Sequence, residues 1–314
     1  MALTNFPNGI TSFGVPVIGG GAQIPVTTGK YVFVSSGSGS NGNDGASPDS
    51  PKATVAGALL ACRAGKGDVI VCMPGHAETV TATSLNLNVA GVQVVCLGSG
   101  SAKPTFTYGA AAATITVSAA NCAFRGAKMV ANFLNVAAAF TVGAAVDFDC
   151  AENMFVDTSS ILNFLSMVVT GSTDNAADGL SFRNNYVLGL ATTDGAVVSI
   201  LGNLNRLLVS GNFADKAATN NAGHMITLSS KVILGARIIG NQLVVVGATT
   251  ATVGIFLTGS STTNTGLLAY NLVSSLDTTS ELIATAGTNL KFFENYYTGT
   301  ADASGKLWPA VDAA

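Results

Sequence analysis

Residues 139–157, AFTVGAAVDFDCAENMFVD, hold a short apolar strand, a cysteine and an asparagine, and each of these recurs along the chain at nearly one spacing. The strand AFTV follows TITV from Thr114 and precedes SMVV from Ser166, VVSI from Val197, MITL from Met225, GIFL from Gly254 and ELIA from Glu281. Successive starts lie 25, 27, 31, 28, 29 and 27 residues apart. Cys150 closes a series with Cys72, Cys96 and Cys122, at intervals of 24, 26 and 28 residues. Asn153 opens another, continued by Asn185, Asn212, Asn241, Asn271 and Asn295. A period in this range, carried by β-type residues, marks a solenoid rather than a closed sheet. The expected fold is all-β: a single-stranded right-handed parallel β-helix of about eight rungs, some 40 Å long at ~4.8 Å per rung.

Each coil should carry two or three strands of three to six residues, parted by Gly, Asn, Asp or Ser turns. Asparagine at a repeated turn can adopt left-handed geometry and bond its counterparts above and below, so the six asparagines are expected to form a structural ladder. Cysteines at the coil period should stack as small buried apolar groups in or near one inward column, with no disulfide among them. Five cysteines without a CxxC or Cys/His cluster indicate neither zinc nor redox chemistry, and fit folding in a reducing cytoplasm.

The chain has 314 residues, of which 10% are charged, and a formal net charge of −3. Nucleic-acid binding needs clustered Lys and Arg, and the 14 here are scattered singly. A surface of Thr, Ser, Asn, Gly and Ala repels its neighbours weakly and suits lateral packing into a larger assembly. The uncharged run Met129–Val146 is broken by Asn132, Asn135, Thr141 and Gly143 and keeps the repeat beat, so it reads as rungs rather than a membrane span. No basic residue precedes Lys30, and no continuous apolar core follows Met1, so no signal peptide is expected.

Outside the repeats the chain divides into three further parts. Residues 1–29 read as an extended arm: Pro7, Pro16 and Pro25 exclude regular helix, and Phe6, Ile10, Phe13, Val15 and Val17 are apolar anchors with no local core. These five are the expected points of attachment to a larger shell. Residues 30–68 hold the strand YVFV at Tyr31–Val34, a Gly/Ser loop, and a capping helix expected from Pro51 to about Arg63, with Ser50 as its cap and Gly65 and Gly67 ending it. Residues 69–297 are the β-helix. Residues 298–314 leave the pattern and look like a C-terminal cap around Trp308.

The stretch from Gly39 to Val80 resembles the opening of pectin-lyase-fold proteins, through Asp44, Gly45, Pro51, Thr54, Ala58, Gly67, Asp68, Val69, Val71, Pro74 and Gly75. That likeness implies the fold and says little about chemistry, since the fold hosts lyases, glycosidases and inert proteins alike. The whole chain, from MALTNFPNGITSFGVPVIGGG onward, is similar to β-helical virion proteins of tailed bacteriophages. The resemblance implies a homotrimer on the virion surface, assembled in the host cytoplasm, in contact with itself and with a capsid or other virion protein.

Carbohydrate-cleaving β-helices need paired carboxylates, one protonated or acting as base while the other stays ionised. The best candidates are Asp147, Asp149, Glu152 and Asp157, with Asp178 one period after Asp149 and Arg183 and Arg206 on later rungs. Asp149 over Asp178 could form a close pair. Asp147 and Asp149 bracket Phe148, however, and would share the outer face of one strand, the ordinary place for solvated acids. His76 and Glu78 fall in the turn after the strand at Val69 and are expected to be exposed; His224 reads as a rung-edge residue. No catalytic residue, metal or cofactor is expected. The sequence therefore predicts a non-enzymatic virion structural protein, a capsid decoration (cement or head-knob) protein or fibre anchored by its arm. The alternative is a tailspike or tail-fibre β-helix that binds or cleaves host polysaccharide.

Overall fold

The computed structural model describes residues 11–12, 15–16, 24–192, 195–217, 223–228, 231–245, 254–257, 263–275, 283–285, 289–298 and 306–308. It is a right-handed parallel β-helix built from three long sheets. The first sheet stacks ten parallel strands, from Tyr31–Val34 through Val69–Cys72, Asp149–Ala151 and Ser181–Arg183 to Leu290–Phe293. The second has nine parallel strands, from Ala77–Val80 through Met154–Asp157, Tyr186–Gly189 and Phe213–Lys216 to Asn295–Thr298, and Lys306–Trp308 adds antiparallel at the end as the tenth. The third has eight, from Leu85–Leu87 through Phe140–Val142 to Ile283–Thr285. All seven strand starts read from the sequence fall within two residues of the start of a third-sheet strand.

Alternation sets which side chains enter the core. In the third sheet Ile115 and Val117, and Phe140 and Val142, are buried while Thr116 and Thr141 between them face out. In the first sheet the middle residue enters: Ile70, Val94, Phe124, Cys150, Phe182, Val209 and Ile238 succeed one another in register. Aromatic rings tie the sheets together, with Phe106–Phe124 and Phe124–Phe140 both at 5.3 Å between centroids. Each fully buried ring contributes roughly 1.5–3 kcal/mol.

The turn between the first and second sheets carries the asparagine ladder. Asn153 N donates to Asn185 Oδ1 and Asn185 N to Asn212 Oδ1, both at 2.9 Å. Asn212, Asn241 and Asn271 continue to Asn295, each bond being 3.1 Å. Every Nδ2 also donates to a main-chain carbonyl of the preceding rung, as Asn212 does to Phe182 at 2.8 Å. The left-handed residue of this turn is not the asparagine but the one before it: Glu152, Asn184, Gly211, Gly240, Tyr270 and Glu294 all have positive φ. That residue bends the chain from the first sheet into the second, which leaves the buried asparagine's amide aimed along the stack.

The cysteines do not form one column. Cys72 and Cys96 are register partners. Cys150 instead pairs with Phe124 and Phe182, two positions earlier along the strand, and Cys122 precedes the strand Ala123–Arg125. The coil length varies between rungs, so equal intervals do not guarantee equal register. All four are buried and, with Cys62, all are free thiols.

The cap helix is much shorter than the sequence suggests, Val55–Leu59, and Thr54 rather than Ser50 caps it by accepting from Gly57 N at 3.0 Å. Lys52 is drawn into a bridge with Val34, its N–H donating to Phe33 O and its carbonyl accepting from Ser35 N. That pairing holds residues 51–53 out of the helix. Buried Asp68 anchors the cap, accepting from Lys30 N and Arg63 N, each at 2.7 Å. Of the arm's anchors, Phe6, Ile10, Phe13 and Val17 lie outside the described residues; Val15 belongs to a two-residue strand paired with Thr11–Ser12.

Candidate functional site

Among the described residues, Asp149, Arg125 and Arg183 form a linked group of ionisable side chains on the outer face of the first sheet. Asp149 opens the strand Asp149–Ala151, with Ala123 below it and Ser181 above. Arg125 and Arg183 stand two residues further along those neighbouring strands, so both guanidinium groups fold back onto one carboxylate. Arg183 Nε and Nη2 each reach an Asp149 oxygen at 2.9 Å, Arg125 Nε reaches it at 3.0 Å and Nη2 at 2.8 Å, and Ser181 Oγ donates at 2.8 Å. Partial burial works to raise the Asp149 pKa. The hydrogen bonds from Arg183 and Ser181, with the charges of Arg183 and Arg125, outweigh it and hold the carboxyl below its ordinary value.

The other expected acids are arranged differently from the sequence expectation. Asp178 does not stack on Asp149, whose register partner is Ser181; it accepts from Asn205 N and Nδ2, both at 2.8 Å. Asp147 does not share a strand face with Asp149. Its φ of 58° places it in the preceding turn, where it pairs with Arg206 at 3.0 Å. Asp157 is buried, and its two oxygens accept from Phe164 N and Leu190 N at 2.9 Å. Glu152 borders a hollow of about 200 Å³ with Lys103, Arg125, Gly98 and Gly126. A general acid needs a pKa raised toward neutrality. Asp149 is shifted the other way, and both oxygens of Asp157 are engaged by main-chain donors.

His76 is buried rather than exposed. Its ring packs against Phe106 at 5.7 Å, and Nε2 lies 3.2 Å from Glu78 Oε2, which also accepts from Val55 N at 2.9 Å. The short helix closes over the turn and removes it from solvent. Cys72, whose thiol feels the Glu78 charge, is hydrogen-bonded to Cys96; that bond and burial push the thiol well above the ordinary range, so it is not a thiolate. His224 is likewise buried. No group of three His, Cys, Asp or Glu side chains among the described residues is gathered as a metal site. No helix among them is long and apolar enough to cross a membrane.

Two features escaped the sequence reading. Arg125 was legible as a base one coil before Asp149, but strand register was needed to aim it. Lys216 is fully buried on the inner face of the second sheet, where its Nζ donates to Gly195 O. No signal in its surroundings, FADKAAT, marks it as internal.

No protein-family model matches the chain, and no curated protein matches its sequence. Among solved structures, a chain described as a rhamnogalacturonan lyase is similar at 12% identity, covering 85% of this chain and 87% of that one, with a TM-score of 0.35. That structure is of an enzyme; a likeness this loose carries no argument about chemistry here.

Proposed function

We propose that this chain is a non-enzymatic structural protein of a tailed-phage virion, a homotrimeric β-helical rod that decorates the particle through its N-terminal arm. The observation that carries this reading is the state of Asp149. It is the acid most favourably placed for chemistry, yet it is held ionised between two arginines, with Ser181 donating to it as well. Such a cluster fastens three rungs together and offers a substrate neither a proton nor a base of useful strength. The virion assignment rests on the sequence resemblance and on the charge-poor surface.

The test is addition of the purified protein to particles assembled without it. Stoichiometric uptake by those particles is expected, with none by complete ones. Depolymerisation of a host polysaccharide by the purified chain, abolished by Asp149→Asn, would instead establish an enzyme.

A glycan-binding tail fibre is the second reading. It is favoured by the exposed rings of Tyr270 and Phe293, 5.4 Å apart beside the outward Arg237 and Lys291. Tyr270 takes a φ of 56°, costly for a bulky residue, at a turn position that glycine fills in two other rungs.

A further inference from the structure

The three outer faces differ sharply in chemistry. The third sheet presents Thr116, Thr141, Ser199 and Thr227, and the first presents the Asp149 cluster. The second sheet presents Ala77, Thr79, Thr105 and Thr107 on its first two strands and turns largely apolar beyond them. One outward row runs Met154, Tyr186, Phe213, then Gln242, Leu272 and Tyr296, each the register partner of the next. A parallel row holds Val156, Leu188, Asp215 and Val244. The rings of Tyr186 and Phe213 stack at 5.3 Å and 11°, and Tyr186 and Tyr296 remain 39% and 47% exposed. Along the trailing edge, the segments that follow these strands expose Phe133, Leu134, Ile161 and Leu190. From the strand Lys128–Ala131 to the strand Leu272–Ser275, the charged residues in the two rows are Lys128 and Asp215.

We propose that this face is where copies of the chain meet, three rods lying parallel with their second sheets turned toward a common axis. The inference rests on the reading of the chain as an assembling rod and names the surface that assembles it. Size favours a second copy as the occupant. The seven parallel strands from Lys128–Ala131 to Asn295–Thr298, at ~4.8 Å and each four residues of ~3.3 Å, make an apolar wall of roughly 440 Å² in projection; with side-chain relief and the trailing edge, the whole sheet comes near the ~800 Å² that one partner buries in a stable assembly, here divided between two neighbours. Shape favours three. A wall ~13 Å wide, repeated around a three-fold axis, lies about 4 Å from that axis, close to half the ~10 Å spacing of packed sheets. The apolar side chains then fill the centre. In a face-to-face pair the trailing-edge residues would stay exposed, whereas around a three-fold each edge leans on the neighbouring wall.

Sedimentation equilibrium of the full chain at micromolar concentration should give three times 31.4 kDa. Leu188→Glu and Phe213→Glu should shift it to the monomer mass with unchanged circular dichroism, since neither side chain enters the core. Thr116→Glu, on the third sheet, should remain trimeric. A wild-type trimer that survives both glutamate variants overturns the assignment of this face and leaves the assembling-rod reading standing. A wild-type monomer removes both, and a wild-type dimer overturns the three-fold arrangement. If the glutamate variants misfold, Leu188→Cys treated with a short bismaleimide decides the matter: two-chain products are expected on denaturing gels, and their absence overturns the proposal.

Discussion

Asn212 Oδ1 accepts the backbone N–H of Asn185 at 2.9 Å while Asn212 Nδ2 donates to Phe182 O at 2.8 Å, so one side chain satisfies two buried main-chain groups of the rung before it. The same pattern repeats from Asn153 to Asn295. In a solenoid each rung contacts its neighbours alone, so such links set how strongly one coil holds the next.

Replacing Asn212 by Ala should therefore cost more than an ordinary hydrogen bond. It strands a buried donor and a buried acceptor, each worth about 1–3 kcal/mol. A loss of roughly 2–5 kcal/mol is expected, measured by urea denaturation. Asn203→Ala, at a half-buried turn where the amide bonds exposed Asp174 and accepts from Val232 N at 2.9 Å, should cost less, about 1 kcal/mol, because water can reach the groups it leaves behind.

The thiols give a second prediction. Burial pushes Cys62 up to about 12 and Cys150 higher still, and Cys72 is raised by its bond to Cys96 and by burial. At pH 8 the native chain should react with a disulfide reagent over hours, and after denaturation without reductant it should titrate five thiols per chain. Three thiols, or a rapid native burst, would contradict the buried reduced set.

Acid sensitivity follows from Asp149 and Asp68. Both carboxyls lie below their ordinary values: burial opposes ionisation in each, and hydrogen bonds and arginine charge prevail. A carboxylate with a depressed folded pKa contributes stability above its unfolded pKa, near 3.9, and loses it as pH falls through the lower folded value. Denaturation midpoints should be flat from pH 7 to about 5 and fall below about 4. Asp149→Asn should lower the neutral plateau and flatten the acid slope.

How much was legible depended on whether a signal was periodic. The third-sheet strands and the ladder asparagines stood out because coil length and β-type residues repeat together. The helix from Pro51 did not form as read, because Lys52 is captured by Phe33 and Ser35, partners that lie across a loop and leave no local mark. His76 looked like a polar turn, but Phe106 and Glu78 belong to different strands and enclose it only once register is fixed. Asp149 could be named among the candidate acids, but its ion pairs could not be read, because its arginines lie 24 and 34 residues away and strand register alone aims them.

The core should resist truncation most where rings join sheets. Phe140 contacts Phe124, Phe148 and Phe155 and is fully buried, so Phe140→Ala should cost about 3–5 kcal/mol in urea denaturation. Phe293→Ala, at an exposed ring, should cost under about 1 kcal/mol.

The central claim, a structural rod that decorates a particle, is tested most directly by cryo-electron microscopy of virions with and without this chain. The account predicts a surface projection of three parallel rods, each with a trigonal cross-section and a rung repeat of ~4.8 Å, missing from particles assembled without the chain. Identical reconstructions from the two particle types would contradict it.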